Sequence, residues 1–105
     1  MVSVHPKASL SKGTFVSSGA VLGHDFICGE FSWIGSKVVF GGSVSIGSEV
    51  FLGIGSSIAN SVNIGDSAIV GAGVTITSDI PSNMAILPLA SRSAVPSSIV
   101  YSLLL

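Results

Sequence analysis

The chain has very few charged residues. Lys, Arg, Asp and Glu make up 9% of its 105 residues, and only four residues are Lys or Arg. Four scattered cations do not neutralise a run of phosphates, so the composition excludes a nucleic-acid-binding protein of the usual basic kind. With 48% hydrophobic residues and a net charge of −1, the surface favours burial in an oligomer.

Long hydrophobic runs and cysteine pairs are also missing. Ser and Gly interrupt the apolar residues throughout, and no run approaches the roughly 20 residues that span a bilayer. The opening segment MVSVHPKASLSK lacks the features of a secretory signal, which predicts a cytoplasmic protein. The single cysteine, Cys28, excludes an internal disulfide and a thiolate metal cluster.

What the chain has in abundance is a repeat of hexads. An apolar residue recurs at every sixth position, usually followed by Gly, which indicates a corner because Gly tolerates positive φ and close backbone approach. Cys28 occupies one of these positions and is expected to be a small core residue. A period of six excludes a one-sided helix and predicts one small unit stacked on itself. The recurring residues are Val4, Leu10, Val16, Leu22, Cys28, Ile34, Phe40, Ile46, Leu52, Ile58, Ile64, Val70 and Ile76.

The repeat resembles the hexapeptide repeat of left-handed parallel β-helices, in which three hexads form one triangular coil. The resemblance implies an all-β fold of about four coils over residues 1–80, each rising about 4.8 Å. A closing segment over residues 81–105 would follow, since Pro81 and Pro88 break ladder pairing, and residues 93–105 would dock as a strand or helix. Residues separated in sequence by one coil, which is three hexads, then stack above one another.

This stacking rule predicts an exposed apolar stripe. Phe15, Trp33, Phe51 and Ile69 follow one another at intervals of one coil, and each precedes an inward residue, so they are expected to face outward. Exposed aromatic ladders usually mark interfaces, and the resemblance implies a trimer, so we expect a homotrimer packed through this stripe. The alternative is that SIVYSLLL, residues 98–105, folds back and covers it.

The chain has two histidines, His5 and His24, and His24 is followed by Asp25. Histidine changes its charge nearest neutral pH and is the natural side chain to take a proton from an amine or hydroxyl. A neighbouring carboxylate can hold the tautomer of the ring. The pair therefore indicates a general base, although on spacing alone a surface histidine in a turn is the alternative.

Residues 19–58, GAVLGHDFICGEFSWIGSKVVFGGSVSIGSEVFLGIGSSI, resemble the catalytic stretch of bacterial sugar O- and N-acyltransferases of the NeuD and PglD type. The resemblance covers about His5 to Arg92. It does not include the N-terminal α/β domain that helps relatives hold the acceptor sugar. It implies an acetyl-CoA-dependent transferase acting on a sugar or amino-sugar-like molecule by direct transfer. His24 would be the general base, assisted by Asp25.

The resemblance also implies where the acyl donor binds. Gly42, one coil after His24, matches the position whose backbone amide contacts the thioester carbonyl and stabilises the oxyanion. Trp33 stands where relatives usually carry a second histidine that contacts acetyl-CoA, which implies a changed donor affinity or acyl choice. No metal is expected. The other predicted donor-binding residues are Ile54, Gly71, Ala72 and Gly73.

Three other functions are alternatives to the transferase. The first is a non-catalytic trimeric scaffold or binding module that keeps the same fold. The second is a zinc hydratase of the γ-carbonic-anhydrase type, which needs three histidines across an interface. His5 and His24 do not supply that spacing. Ice binding requires a regular array of Thr or Ser on a flat face, and the polar column here is too mixed.

Overall fold

Very short strands build the chain. The computed structural model describes residues 1–88 and 94–98, and the strands between Ser3 and Ile76 are each two residues long. Each strand pairs in parallel with the strand one coil further on, as in the register Ser57↔Thr75. Each coil therefore has three strands and three corners, and the fold is the predicted left-handed parallel β-helix.

The coils stack into three flat faces. Face one contains β1 (Ser3–Val4), β4 (Val21–Leu22), β7 (Val39–Phe40), β10 (Ser57–Ile58) and β13 (Thr75–Ile76). Face two contains β2 (Ser9–Leu10), β5 (Ile27–Cys28), β8 (Ser45–Ile46) and β11 (Asn63–Ile64). Face three contains β3 (Phe15–Val16), β6 (Trp33–Ile34), β9 (Phe51–Leu52), β12 (Ile69–Val70), β14 (Met84–Ile86) and β15 (Ala94–Pro96). Face one thus has five layers, slightly more than the predicted four coils.

The core runs along the axis of the prism. Recurring residues from Leu22 to Ile76 are buried, and Cys28 is 1% exposed, as its place in the repeat predicts. Val4 and Leu10 are exposed, at 57% and 43%, because each has a neighbouring coil on one side only. The stacked apolar side chains supply the main stabilisation, at about 25 cal/mol per Å² of apolar area buried.

The corners follow the inward residues, as the glycines indicate. Of the two properties of Gly, positive φ is not the one used after an inward residue, since the left-handed residue lies two positions later, as at Asp25 (φ 59°) after Gly23. Gly23 is needed for close approach instead, since a Cβ there would collide with the carbonyl of Gly41 in the next coil. Most left-handed corner residues are not glycine.

The last coil is shorter than the others. Ile80 bridges Ile64 and Ala85 pairs with Ile69, and each partner comes two positions earlier than a full coil would place it, because the corner after β13 is tighter. The β14 strand continues face three beyond Pro81, past the end predicted at residue 80. The antiparallel strand β15 then pairs with β14.

The predicted stripe is exposed over three of its four residues. Phe15, Trp33 and Phe51 are 48%, 47% and 40% exposed; we call these three the aromatic stripe. The prediction was wrong for Ile69, which is 4% exposed because it clusters with Ala85 and the partly buried Leu87 of the closing segment. The expected covering segment, residues 98–105, lies outside the described residues except for Ser98.

Candidate active site

Three edges separate the three faces, and each edge is a column of two-residue turns. The first edge follows face one and contains residues 24–25, 42–43 and 60–61. The second edge follows face two and contains residues 30–31, 48–49 and 66–67. The third edge follows face three and contains residues 36–37, 54–55 and 72–73. The predicted site residues divide among these edges.

His24 and Asp25 form a pair on the first edge. Nδ1 of His24 lies 2.9 Å from Oδ2 of Asp25, and the two side chains are 60% and 51% exposed. With Nδ1–H donating to the carboxylate, the lone pair of a neutral ring is on Nε2. Asp25 adopts left-handed φ at the corner, next to the histidine whose ring it orients. The geometry suits a proton acceptor at Nε2.

Gly42 lies against this histidine, as the stacking rule predicts. A Cβ on Gly42 would collide with Nε2 of His24, so the imidazole packs over the Gly42 backbone in the next coil. The absence of a side chain at residue 42 is what admits the ring. Gly42 is thus part of the same local cluster as His24 and Asp25.

Asn60 is a residue of this cluster that the sequence reasoning missed. The amide N–H of Gly42 donates to Oδ1 of Asn60 at 2.8 Å, so the amide predicted to contact a thioester oxygen already has a partner. Asn60 stands one coil after Gly42 and two coils after His24. Extending the stacking rule by one further coil finds it.

The predicted acyl-donor residues Ile54, Ala72 and Gly73 lie on the third edge. Ile54 is 63% exposed, and the Gly73 amide donates to its carbonyl at 2.8 Å. Gly55 and Gly73 have positive φ, and a Cβ on either would meet nothing within 4 Å. This edge is open and lined by backbone, but it is a different edge from that of His24.

Two predicted donor residues lie in other surroundings. Gly71 is covered, since its amide donates to the Ile86 carbonyl at 2.9 Å and a Cβ there would collide with Pro88. Trp33 lies on face three, which is opposite the first edge of the triangular prism. Its ring stacks on Phe51 with centroids 5.9 Å apart and is tilted against Phe15 at 4.5 Å.

A surface cavity of about 550 Å³ lies at the end of face two, and it contains none of the predicted site residues. Asp66 and Asp79 line it, and each accepts a hydrogen bond of 2.8 Å from a backbone amide, of Ser48 and Asn63 respectively. These carboxylates therefore have structural partners.

Burial raises the pKa of the Cys28 thiol, although hydrogen bonds to Thr14 and Ser32 oppose that shift.

Within residues 1–88 and 94–98, no three His, Cys, Asp or Glu side chains are grouped to hold a metal ion. In the same part of the chain, no helix is long and apolar enough to cross a membrane. The cytoplasmic location stays a prediction.

Comparison with known proteins agrees with this architecture. The family model described as the hexapeptide repeat of succinyl-transferase matches residues 43–78. No curated protein matches the chain. Serine acetyltransferase from Neisseria gonorrhoeae is similar in structure, with a TM-score of 0.80 and 30% identity over 91% of this chain and 42% of its own.

Two structures solved with CoA or acetyl coenzyme A are also similar. PerB from Caulobacter crescentus, solved with CoA and GDP-perosamine, has a TM-score of 0.74 and 26% identity over 90% of this chain and 54% of its own. The acetyltransferase domain of PglB from Neisseria gonorrhoeae, solved with acetyl coenzyme A, shares the fold with a TM-score of 0.78 and 22% identity over 90% of this chain and 54% of its own. The chain thus spans about half the length of these proteins.

Proposed function

We propose that the chain, which has the left-handed β-helix fold and matches the hexapeptide-repeat family model over residues 43–78, transfers an acyl group from acetyl-CoA or a related thioester. The acceptor is an amine or hydroxyl of a sugar or amino-sugar-like small molecule. His24 is the general base and Asp25 orients it. The observation that carries the proposal is the 2.9 Å contact between His24 Nδ1 and Asp25 Oδ2 on an exposed edge.

The reaction needs one base and no covalent enzyme intermediate. His24 Nε2 takes the proton from the acceptor, whose nitrogen or oxygen bonds to the thioester carbon while the carbonyl electron pair moves to oxygen. When the carbon–sulfur bond breaks, His24 returns the proton to the departing thiolate. A positioned base of this kind contributes about 10²–10⁴-fold to the rate.

The third edge supports the proposal that the acyl donor binds along it. The methyl side chain of Ala72 has no oxygen that could accept from the backbone amide of Ile54 in the preceding coil. Gly55 and Gly73 leave the corner unobstructed. An extended pantetheine arm, with its two amides, fits such a backbone-lined strip beside the exposed Ile54. Trp33 and Gly42 stay predicted contacts of the donor.

In this proposal the base and the acyl-donor strip lie on different corners of one prism. We therefore infer that the site forms between chains, with the third edge of one copy next to the first edge of another. Face three borders the third edge and carries the aromatic stripe, so a head-to-tail contact through this stripe closes a ring of three. Ile69 is not part of this interface, because the closing segment covers it.

Ligand binding and turnover test the proposal separately. Acetyl-CoA at millimolar concentration is expected to raise the melting temperature, since ligand binding stabilises the folded state. His24→Ala is expected to reduce turnover about 10²–10⁴-fold without changing assembly, and His5→Ala is the matched control. Absence of both a thermal shift and turnover would favour the scaffold alternative.

Complementation between variants tests the position of the site. Ile54→Glu places a negative charge on the third edge and is expected to inactivate a chain in which His24 is intact. Co-expressing this variant with His24→Ala creates mixed trimers in which one interface has both intact edges, so activity is expected to return. A monomer by light scattering, or mixed trimers that stay inactive, would contradict the shared site.

A further inference from the structure

Two side chains from different coils converge on the Gly41–Gly42 dipeptide. A Cβ on Gly42 would collide with Nε2 of His24 from the preceding coil, and a Cβ on Gly41 would collide with Oδ1 of Asn60 from the following coil. The two glycines therefore provide room for both side chains. His24 and Asn60 are brought to the same point of the first edge from opposite directions.

The hydrogen bond at this point fixes the orientation of the Asn60 carboxamide. Since the Gly42 N–H donates to Oδ1 at 2.8 Å, the carbonyl oxygen of the side chain faces the backbone. The Nδ2 group then points away from that amide and has two N–H donors for other partners. The amide proton of Gly42, in contrast, is already used.

We propose that Asn60 is a catalytic residue of the acyl transfer and that its Nδ2 group, rather than the Gly42 amide, donates a hydrogen bond to the oxyanion. This inference rests on the proposed function. As the acceptor bonds to the thioester carbon, the carbonyl electron pair moves to oxygen, and Nδ2–H stabilises the resulting charge without transferring a proton. His24 takes the acceptor's proton on the other side of Gly42.

The second edge provides an internal control for a purely structural role. The Ser48 N–H donates to Oδ1 of Asp66 at 2.8 Å, which is the same cap, between the same successive coils, at a corner without a histidine. If Asn60 only caps the backbone, its replacement should have the same consequences as replacement of Asp66. If it also serves the reaction, the two will differ in turnover.

Three variants separate the two roles. Asn60→Asp keeps the oxygen that accepts from Gly42 and removes the donor, whereas Asn60→Ala removes both and frees the Gly42 amide. Both are expected to lower kcat about 10²–10³-fold, the usual effect of losing one oxyanion donor, with the KM for acetyl-CoA changed by less than about threefold. Asp66→Ala should match the melting temperature of Asn60→Ala and leave kcat unchanged.

Hydrogen exchange provides a readout that does not depend on turnover. The Gly42 amide is expected to be protected in the wild-type chain and in Asn60→Asp, and to exchange faster in Asn60→Ala. Wild-type kcat in either Asn60 variant would overturn the inference, and an active Asn60→Ala would assign the oxyanion to the Gly42 amide. If the wild-type chain transfers no acyl group, the proposed function fails as well.

Discussion

The first and second edges of the prism share one backbone geometry but differ in their side chains. On the second edge the amides of Glu30, Ser48 and Asp66 each donate to a side chain of the following coil, at 3.1, 2.8 and 3.0 Å. On the first edge Asn60 accepts a hydrogen bond from the Gly42 amide. Gly42 itself has no side chain that could accept from the His24 amide in the same way. The second edge therefore has three successive caps, whereas the first edge leaves a histidine exposed.

This difference shows what converts a corner of the fold into a candidate site. The backbone requires only a left-handed residue and close packing, and both edges satisfy these conditions. The glycine at position 42 interrupts the column of caps, and the imidazole of His24 occupies the space. The chemistry therefore depends on one missing side chain next to one histidine.

The largest effect is expected from Gly42→Ala. The new methyl group would collide with Nε2 and displace the His24 ring, and kcat/KM should fall about 10²–10⁴-fold. Ser48→Ala, at the corresponding position of the second edge, should leave kcat/KM unchanged. A steady-state acyl-transfer assay measures both, and an active Gly42→Ala would show that this ring position is not required.

A smaller effect is expected from Gly41→Ala and Gly47→Ala, which are equivalent positions of the two edges. Each Cβ would collide with a capping oxygen, of Asn60 and Asp66 respectively, so each should lower the free energy of unfolding by about 1–3 kcal/mol through overpacking. Urea denaturation measures this loss. Only Gly41→Ala should also reduce turnover; equal turnover in the two variants would remove the distinction between the edges.

Asp66→Asn is expected to change stability by less than about 1 kcal/mol, since it replaces a charged acceptor with a neutral one in an exposed hydrogen bond. It gives the second edge the same cap as the first. Thermal denaturation should show a small shift, and turnover should not change. A large destabilisation would mean that the carboxylate does more than accept the Ser48 amide.

The smallest effect concerns the core that both edges share. Burial raises the pKa of Cys28, so the buried thiol favours folding below its unfolded pKa, and this contribution is lost as pH rises through the folded pKa. Alkylation at neutral pH should be slow in the folded chain and fast in urea. Rapid alkylation without urea would show that the core opens and that the edges are not held rigidly.

The fold could be predicted from the sequence because its period is independent of local propensity. Inward residues such as Leu22 and Ile34 are fully buried, as the repeat requires, and Gly42 lies against His24 as their separation by one coil predicts. Gly serves two purposes at a corner, positive φ and close approach, so its position alone does not locate the left-handed residue. The glycines that follow inward residues, such as Gly23, serve only the second purpose.

The rest could not be read from a strict repeat. Ile69 is buried because the last coil is shorter than the others and places Ala85 beside it, which no preceding coil indicates. Asn60 lies two coils from His24, so the residue one coil away from the histidine, Gly42, does not reveal it. The separation of His24 from Ile54 and Ala72 depends on which corner each residue occupies, and this requires counting around the triangle as well as along its axis.

Because each full coil has the same number of residues, the prism keeps its register only when it lengthens by whole coils. A single inserted residue between Gly42 and Asn60 would turn the following inward side chains outward and move the carboxamide away from its amide. Insertion of a complete further coil after Ser61 would lengthen the prism by one layer and leave His24, Gly42 and Asn60 in register. The contacts within the candidate site are therefore kept only when the chain changes length at this position by complete coils.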